Sequence, residues 1–290
     1  MKEANYNRMS KRGLVGLYIG LVLTVLCISL VLFYRRPTRE GFAERLPRII
    51  WSYWNEPNPP TRLRRILDDR RHALPGWSHR LLNEKTIYGV IPREAFPRGY
   101  HALSHQAKSD WIRLYLLKAY GGCWMDASII VNRPDEIEEL YNQSVEQQSE
   151  LTGYANADGD TSYIESFCIM APLGSRVISL WFDEFTLAIT MGFLPYKRRV
   201  FSAIDASKCY AKDNDDTYLT VYAALQYVLQ ERIEYTPSIH VINVWNSMYK
   251  YQAECDHDNK CVVEKIKSIP KDEQPANLKL TRFNRTFYDT

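Results

Sequence analysis

Three side chains able to do chemistry stand close together in "AKSDWIRLYLLKAYGGCWMDASI", residues 107–129. Asp110 and Arg113 are three apart, so on a helix they lie side by side. Leu114 and Leu117 give that helix an apolar side. Gly121 supplies a left-handed cap, and Gly122 lets the chain turn at once into an apolar strand. The strand delivers Asp126 near its carboxyl end, where open α/β sheets bind ligands. A carboxylate there can hold a hard cation, and that cation can bridge a diphosphate. The Asp110–Arg113 pair can clamp sugar hydroxyls. The competing reading is a surface ion pair and a strand-terminal aspartate with no chemical role. The order of the whole array favours the functional one.

The elements that must position these groups follow from punctuation. "RIIWSYW" (Arg48–Trp54) is β-branched and aromatic and reads as a first buried strand, ended by "NEPNPP". Thr61 can cap a helix through about His72, with Leu63, Ile66 and Leu67 on one face. "SHRLLN" (Ser78–Asn83) reads as a strand, Ala102–Tyr120 as the long helix, and "YIESFCIMA" (Tyr163–Ala171) as a further strand. Helices are expected at about Ser175–Met191 and Asp216–Glu231, and an irregular polar tail after about Cys255. Strands alternating with helices argue for an α/β domain with a largely parallel sheet.

The 290 residues allow one large or two small domains. Gly13–Tyr34 is a run of 22 residues without a charge. At 1.5 Å per residue it spans about 33 Å as a helix, enough for a bilayer core. "LVLFYRRP" offers no signal-peptidase site, so an uncleaved single-pass anchor is expected. The reading of the chain is a tail (1–12), an anchor (13–34), a stem (35–45) and a catalytic domain (46–290). Basic residues flank the apolar run on both sides, so orientation has no clear vote. A type II arrangement with a lumenal, Golgi- or ER-like domain is the expectation. Residues 1–48 hold nine Lys/Arg against three Asp/Glu, whereas the remainder holds 28 against 31. The body is therefore mildly acidic, which argues against nucleic acid as a partner.

Six cysteines form no metal pattern. Cys123 and Cys168 read as core residues, and Cys255 and Cys261 as a pair that an oxidising lumen would close into a disulfide. The triplets Asn142-Gln143-Ser144 and Asn284-Arg285-Thr286 lean slightly the same way. "AKDNDDTY" (Ala211–Tyr218) lacks the glycine and terminal glutamate of a calcium loop, so Asp213, Asp215 and Asp216 read as a solvated loop.

The motif A-x-SD-xx-R-xx-LL-xx-YGG-x-W-x-DAS, with "LPRIIWSYW" upstream, resembles the capsular polysaccharide synthesis protein family. It is also similar to DXD glycosyltransferases of the yeast initiating mannosyltransferase and clostridial toxin types. The resemblance is strong from about Leu46 to Ile130 and weak to Phe185. It implies a GT-A (Rossmann-like) domain, a nucleotide-sugar donor, a glycan or polysaccharide acceptor, Mn²⁺ or Mg²⁺, and a retaining reaction. It places Trp51 near the nucleotide base, with Trp54 as the neighbouring candidate; core packing is the alternative for both. Ser109, Asp110 and Arg113 fall on the donor sugar, and Asp126 on the metal and diphosphate. Ser128 stands where a second acid usually lies, which leaves the metal one carboxylate short. Glu165 is a candidate on the acceptor side, as a base or a hydroxyl clamp; a plain strand-edge charge is the alternative. The competing function is a catalytically silent nucleotide-sugar or glycan binder, with a purely structural membrane protein behind it.

Overall fold

The structure, a computed structural model, describes Val22, Thr24, residues 38–209 and 217–281, and Arg285. The expected anchor therefore falls almost wholly outside the described residues, as do the expected acidic loop and Asn284. Among the described residues no helix is long and apolar enough to cross a membrane. The chain divides into units of residues 1–40 and 41–290. Helix α1 (Arg39–Arg45) begins in the first, and all the elements below lie in the second.

In chain order these are β1 (Ile49–Tyr53), α2 (Thr61–Ala73), β2 (Ser78–Leu82), α3 (His105–Tyr120), β3 (Gly122–Met125), β4 (Ile129–Val131) and α4 (Asp135–Gln147). There follow β5 (Leu151–Ala155), β6 (Ile164–Ala171), α5 (Arg176–Met191), α6 (Phe193–Phe201), α7 (Thr220–Tyr227) and β7 (Ile239–Asn243). The chain continues with α8 (Lys250–Glu254), α9 (Asn259–Ser268) and β8 (Asn277–Lys279).

The main sheet has the order β2-β1-β3-β6-β5-β7. Strands β2, β1 and β3 run parallel, as do β5 and β7, while β6 is antiparallel to both its neighbours. The sheet is thus mixed rather than largely parallel. The cause is the connection from β5 to β6, residues 156–163, which is too short for the crossover a parallel pair needs.

Alternate residues of each central strand feed opposite layers, because successive side chains point to opposite faces. Trp51, Trp124 and Ile169 join one cluster with Trp111 and Leu116 of α3 and Trp181 of α5. Ile50, Cys123, Met125, Cys168 and Met170 join the other, with Ile137 and Leu140 of α4. Cys123 and Cys168 are buried free thiols, as expected of core residues.

Local rules explain most element ends. Helix α3 starts at His105, later than Ala102, because Ser104 caps it and accepts from the backbone N–H of Ala107 at 3.2 Å. Helix α2 does begin at Thr61, but Pro60 precedes it and the threonine hydroxyl accepts from Arg64 at 3.0 Å instead of capping. Gly121 is not a left-handed cap. Its φ of 66° and ψ of −165° fall in a region open essentially to glycine alone. A Cβ there would lie 2.6 Å from Leu173 N and 2.9 Å from Arg45 O. The described part of the tail after Cys255 is regular: a disulfide joins Cys255 to Cys261, Asp258 caps α9, and β8 pairs antiparallel with β4. That pairing sets Lys279 opposite Ile129 and carries it to the end of β3.

Candidate active site

Asp126 is the first residue after β3. Its backbone N–H donates to Phe167 O of β6 at 2.9 Å. Its carbonyl accepts from Ile129 N at 3.1 Å and from Arg70 Nη1 at 3.3 Å. Arg70 is buried on α2 and also donates to Ser52 Oγ at 2.8 Å, and that hydroxyl donates to Met125 O at 2.5 Å. Burial lowers the Arg70 guanidinium to about 10, so it stays charged. The chain end that presents Asp126 is therefore bolted to the sheet and to α2.

The Asp126 carboxylate sits between two cations. Oδ1 accepts from Trp124 Nε1 at 2.9 Å and from Arg113 Nη2 at 3.3 Å, and Oδ2 from Lys279 Nζ at 2.5 Å. Burial pushes its pKa up, but Lys279 and then Arg113 outweigh burial and hold it at about 2. Burial lowers the Lys279 ammonium, opposed by Asp126.

One turn of α3 supplies the next layer. Arg113 Nη1 lies 2.9 Å from Asp110 Oδ1, and both side chains are about 4% exposed. The guanidinium also rests on the Trp124 ring, 5.1 Å from its centroid. Gln106 donates to Asp110 Oδ2 at 2.6 Å and to Tyr218 O at 3.1 Å, tying α3 to the segment before α7. Burial raises the Asp110 carboxyl against the pull of Arg113. Ser109, one residue earlier, is half-buried.

Glu165 reaches the same end of the sheet because β6 runs antiparallel to β3. It is buried and accepts from Tyr222 Oη of α7 at 3.1 Å; Ser166 Oγ donates to that same tyrosine oxygen at 3.3 Å. Burial raises Glu165 to about 7, against the hydrogen bond from Tyr222 and the pull of Lys279. A buried, hydrogen-bonded carboxyl that titrates near neutrality is no strand-edge charge.

The two tryptophans differ in their surroundings. Trp51 lies in mid-strand, buried, with its indole N–H donating to Gly121 O at 3.0 Å and its ring 5.5 Å from that of Tyr120. It is a core residue, and the flat face a base needs is not open there. Trp54, just beyond the carboxyl end of β1, borders a narrow cavity of about 40 Å³ with Arg62, Leu63, Ser128 and Arg285. Among the described residues its buried indole N–H has no hydrogen-bond partner. A larger recess of about 590 Å³ around Glu136 and Glu273 shares no residue with this cluster.

The oxygen donors do not suit a divalent cation. Ser128 Oγ donates to Leu280 O at 3.1 Å and faces Lys279 Nζ at 3.3 Å. The hydroxyl thus ties the turn after β3 to the end of β8, and an ammonium stands where a metal would share oxygens with Asp126. Among the described residues no three His, Cys, Asp or Glu side chains gather to hold a metal. A hard cation seeks six or more oxygens; this turn offers one carboxylate that already carries two cations.

Tyr222, Arg70 and Lys279 are the participants that sequence reasoning missed. For Arg70 a signal existed: it follows Leu63, Ile66 and Leu67 at helical spacing, on the stripe that had to be buried.

Residues 30–188 match the model of the capsular polysaccharide synthesis protein family. That span holds Asp110, Arg113, Asp126 and Glu165 but not Tyr222 or Lys279. The glycosyltransferase afumC of Aspergillus fumigatus is 27% identical over 158 residues, 48% of this chain and 39% of its own length. The O-glycosyltransferase PaGT of Phomopsis amygdali is 27% identical over 154 residues, 47% of this chain and 37% of its own. The chain thus matches somewhat under two fifths of the length of these curated relatives. Among solved structures, the PaToxG glycosyltransferase aligns over 84% of this chain at 11% identity, with a TM-score of 0.40.

Proposed function

The chain belongs to the capsular polysaccharide synthesis protein family, and from that premise we propose that it is a GT-A glycosyltransferase, moving a sugar from a nucleotide-sugar donor to a polysaccharide or glycoprotein glycan. The observation that carries this reading is the convergence of Asp110, Arg113, Asp126 and Lys279 with Glu165 at the carboxyl end of β3. An open α/β sheet binds its ligand at that end.

The chemistry asks three things of this site. The donor must be held, and Trp54 is the aromatic candidate for the base, with Arg285 over its ring at 5.9 Å and Arg62 beside it for phosphate oxygens. The sugar must be oriented, which falls to the buried Asp110–Arg113 pair and to Ser109. The acceptor must lose a proton. Its hydroxyl oxygen bonds to the anomeric carbon on the same face that the diphosphate leaves, and its proton passes to the Glu165 carboxylate. The bond from that carbon to the diphosphate breaks, its electron pair going to the phosphate oxygen. Tyr222 fixes the orientation of Glu165. Holding both substrates together in a fixed orientation removes several kcal/mol of barrier. Retention at the anomeric carbon comes from the family resemblance and is read by proton NMR of the first-formed product.

We place the domain on the far side of a membrane anchor at residues 13–34, on the strength of the uncharged run. The Cys255–Cys261 disulfide supports an oxidising compartment. Asn142 lies within α4 with Ser144 buried, so that triplet adds little. The silent-binder reading rests on the commitment of Ser128 to Leu280. A panel of nucleotide sugars separates the two: an enzyme releases nucleoside diphosphate, whereas a binder is stabilised without turnover.

A further inference from the structure

We propose that Lys279, and not a divalent cation, compensates the charge on the diphosphate of the donor. The inference rests on the transferase reading and says how that site works. A leaving diphosphate needs a positive group fixed beside it before the reaction begins. The place for such a group in this fold is the turn after β3, and there the ammonium of Lys279 stands 2.5 Å from Asp126 Oδ2 and 3.3 Å from Ser128 Oγ.

The lysine is held in a way that suits this task. Strand β8 pairs with β4, so the Lys279 backbone is fixed opposite Ile129, three residues after Asp126. Its ammonium lies over the face of Phe167, 5.3 Å from the ring centroid. Of its three N–H directions, Asp126 and Ser128 take two, which leaves one for a ligand oxygen. The side chain is 11% exposed. Ser128 also lines the narrow cavity of Trp54, Arg62 and Arg285.

The same geometry gives Ser128 and Asp126 their roles. A second carboxylate at position 128 would recruit a metal; a hydroxyl accepts from the ammonium and keeps its own proton on Leu280 O. Asp126 is then a positioning residue for Lys279. In the step itself the phosphate oxygen takes the electron pair of the broken bond, and the ammonium stabilises that charge without giving up its proton.

The test is nucleoside diphosphate binding to the full chain in detergent, measured by calorimetry with UDP, GDP, ADP, CDP and dTDP, each in EDTA and in Mn²⁺. For the wild-type protein at least one of them binds, with affinities in the two conditions within about twofold. Lys279→Met keeps the apolar stem and loses the charge; one charge-assisted contact is worth about tenfold in affinity. Lys279→Arg retains most of the binding. Wild-type binding that vanishes in EDTA overturns the proposal, and so does a folded Lys279→Met protein that binds as wild type. The wild-type comparison stands even if the methionine variant does not fold. Binding that needs Mn²⁺ leaves the transferase reading intact; no binding of any diphosphate in either condition removes both.

Discussion

Asp126→Asn probes the network at its centre, and its cost can be worked from the contacts. The carboxylate accepts from Trp124 and Arg113 on one oxygen and from Lys279 on the other. An asparagine that keeps its oxygen toward Trp124 and Arg113 turns its NH₂ toward the Lys279 ammonium, so two donors face each other. With the amide reversed, the clash moves to Trp124 and Arg113. One bond is lost in the first orientation and two in the second, and both cations lose their shared counterion. Breaking a buried pair costs about 3–5 kcal/mol, and the 25% exposure of the Asp126 side chain places this case near the lower end, about 3 kcal/mol. For a domain of this size that lowers the melting temperature by about 6–12 °C at pH 7. The sign with pH follows from a folded pKa of about 2, below the unfolded value near 4. The contribution is complete above pH 4 and is lost as pH falls toward 2, so wild type and variant converge on acidification. Thermal unfolding followed by circular dichroism at pH 7, 5, 4 and 3 reads this directly. A variant melting within a degree of wild type at pH 7 refutes the placement of the carboxylate between two cations. Turnover of the variant falls about a hundredfold, because Lys279 loses the carboxylate that positions it beside the leaving diphosphate.

Three more outcomes follow from particular contacts. Glu165, raised to about 7 by burial, makes the fold bind a proton that the unfolded chain has released; stability therefore declines between pH 4.5 and 7, by at most about 3 kcal/mol, and Glu165→Gln flattens that slope in denaturant titrations. Gly121→Ala drives a Cβ to 2.6 Å from Leu173 N at a positive φ and costs several kcal/mol, seen as a large fall in melting temperature. Trp54→Ala weakens nucleotide binding about tenfold with little change in melting temperature, as loss of a stacking face does, while Trp51→Ala lowers melting by removing a buried side chain worth about 3–5 kcal/mol; the opposite pattern would return the base to Trp51.

The helix–Gly-Gly–strand junction was legible because each of its rules is local: an i, i+3 pair, two glycines, an apolar run. The glycines were right for a different reason, since Gly121 is demanded by the close approach of Leu173 and Arg45 and not by helix capping. The strand period also held the answer to the tryptophans. Trp51 is a mid-strand residue that must face a covering helix, and Trp54 alone lies past the strand end where ligands gather. Strand β5 was missed, and with it the short β5–β6 connection that reverses β6 and brings Glu165 to Asp126. Lys279 lies 153 residues from Asp126 on a three-residue strand in a polar tail. No periodicity marks so short an element, and its position comes from pairing with β4 alone. At the turn where the DXD-like motif implies a divalent cation, the ammonium of Lys279 stands beside Asp126.

The most direct measurement is release of nucleoside diphosphate by the full chain, in detergent, from a panel of nucleotide sugars, comparing wild type with Asp126→Asn. The account predicts release from at least one donor, stimulated by a glycan acceptor and reduced about a hundredfold in the variant. Binding of a nucleotide sugar with no release from any donor, or equal release by wild type and a folded Asp126→Asn protein, contradicts it.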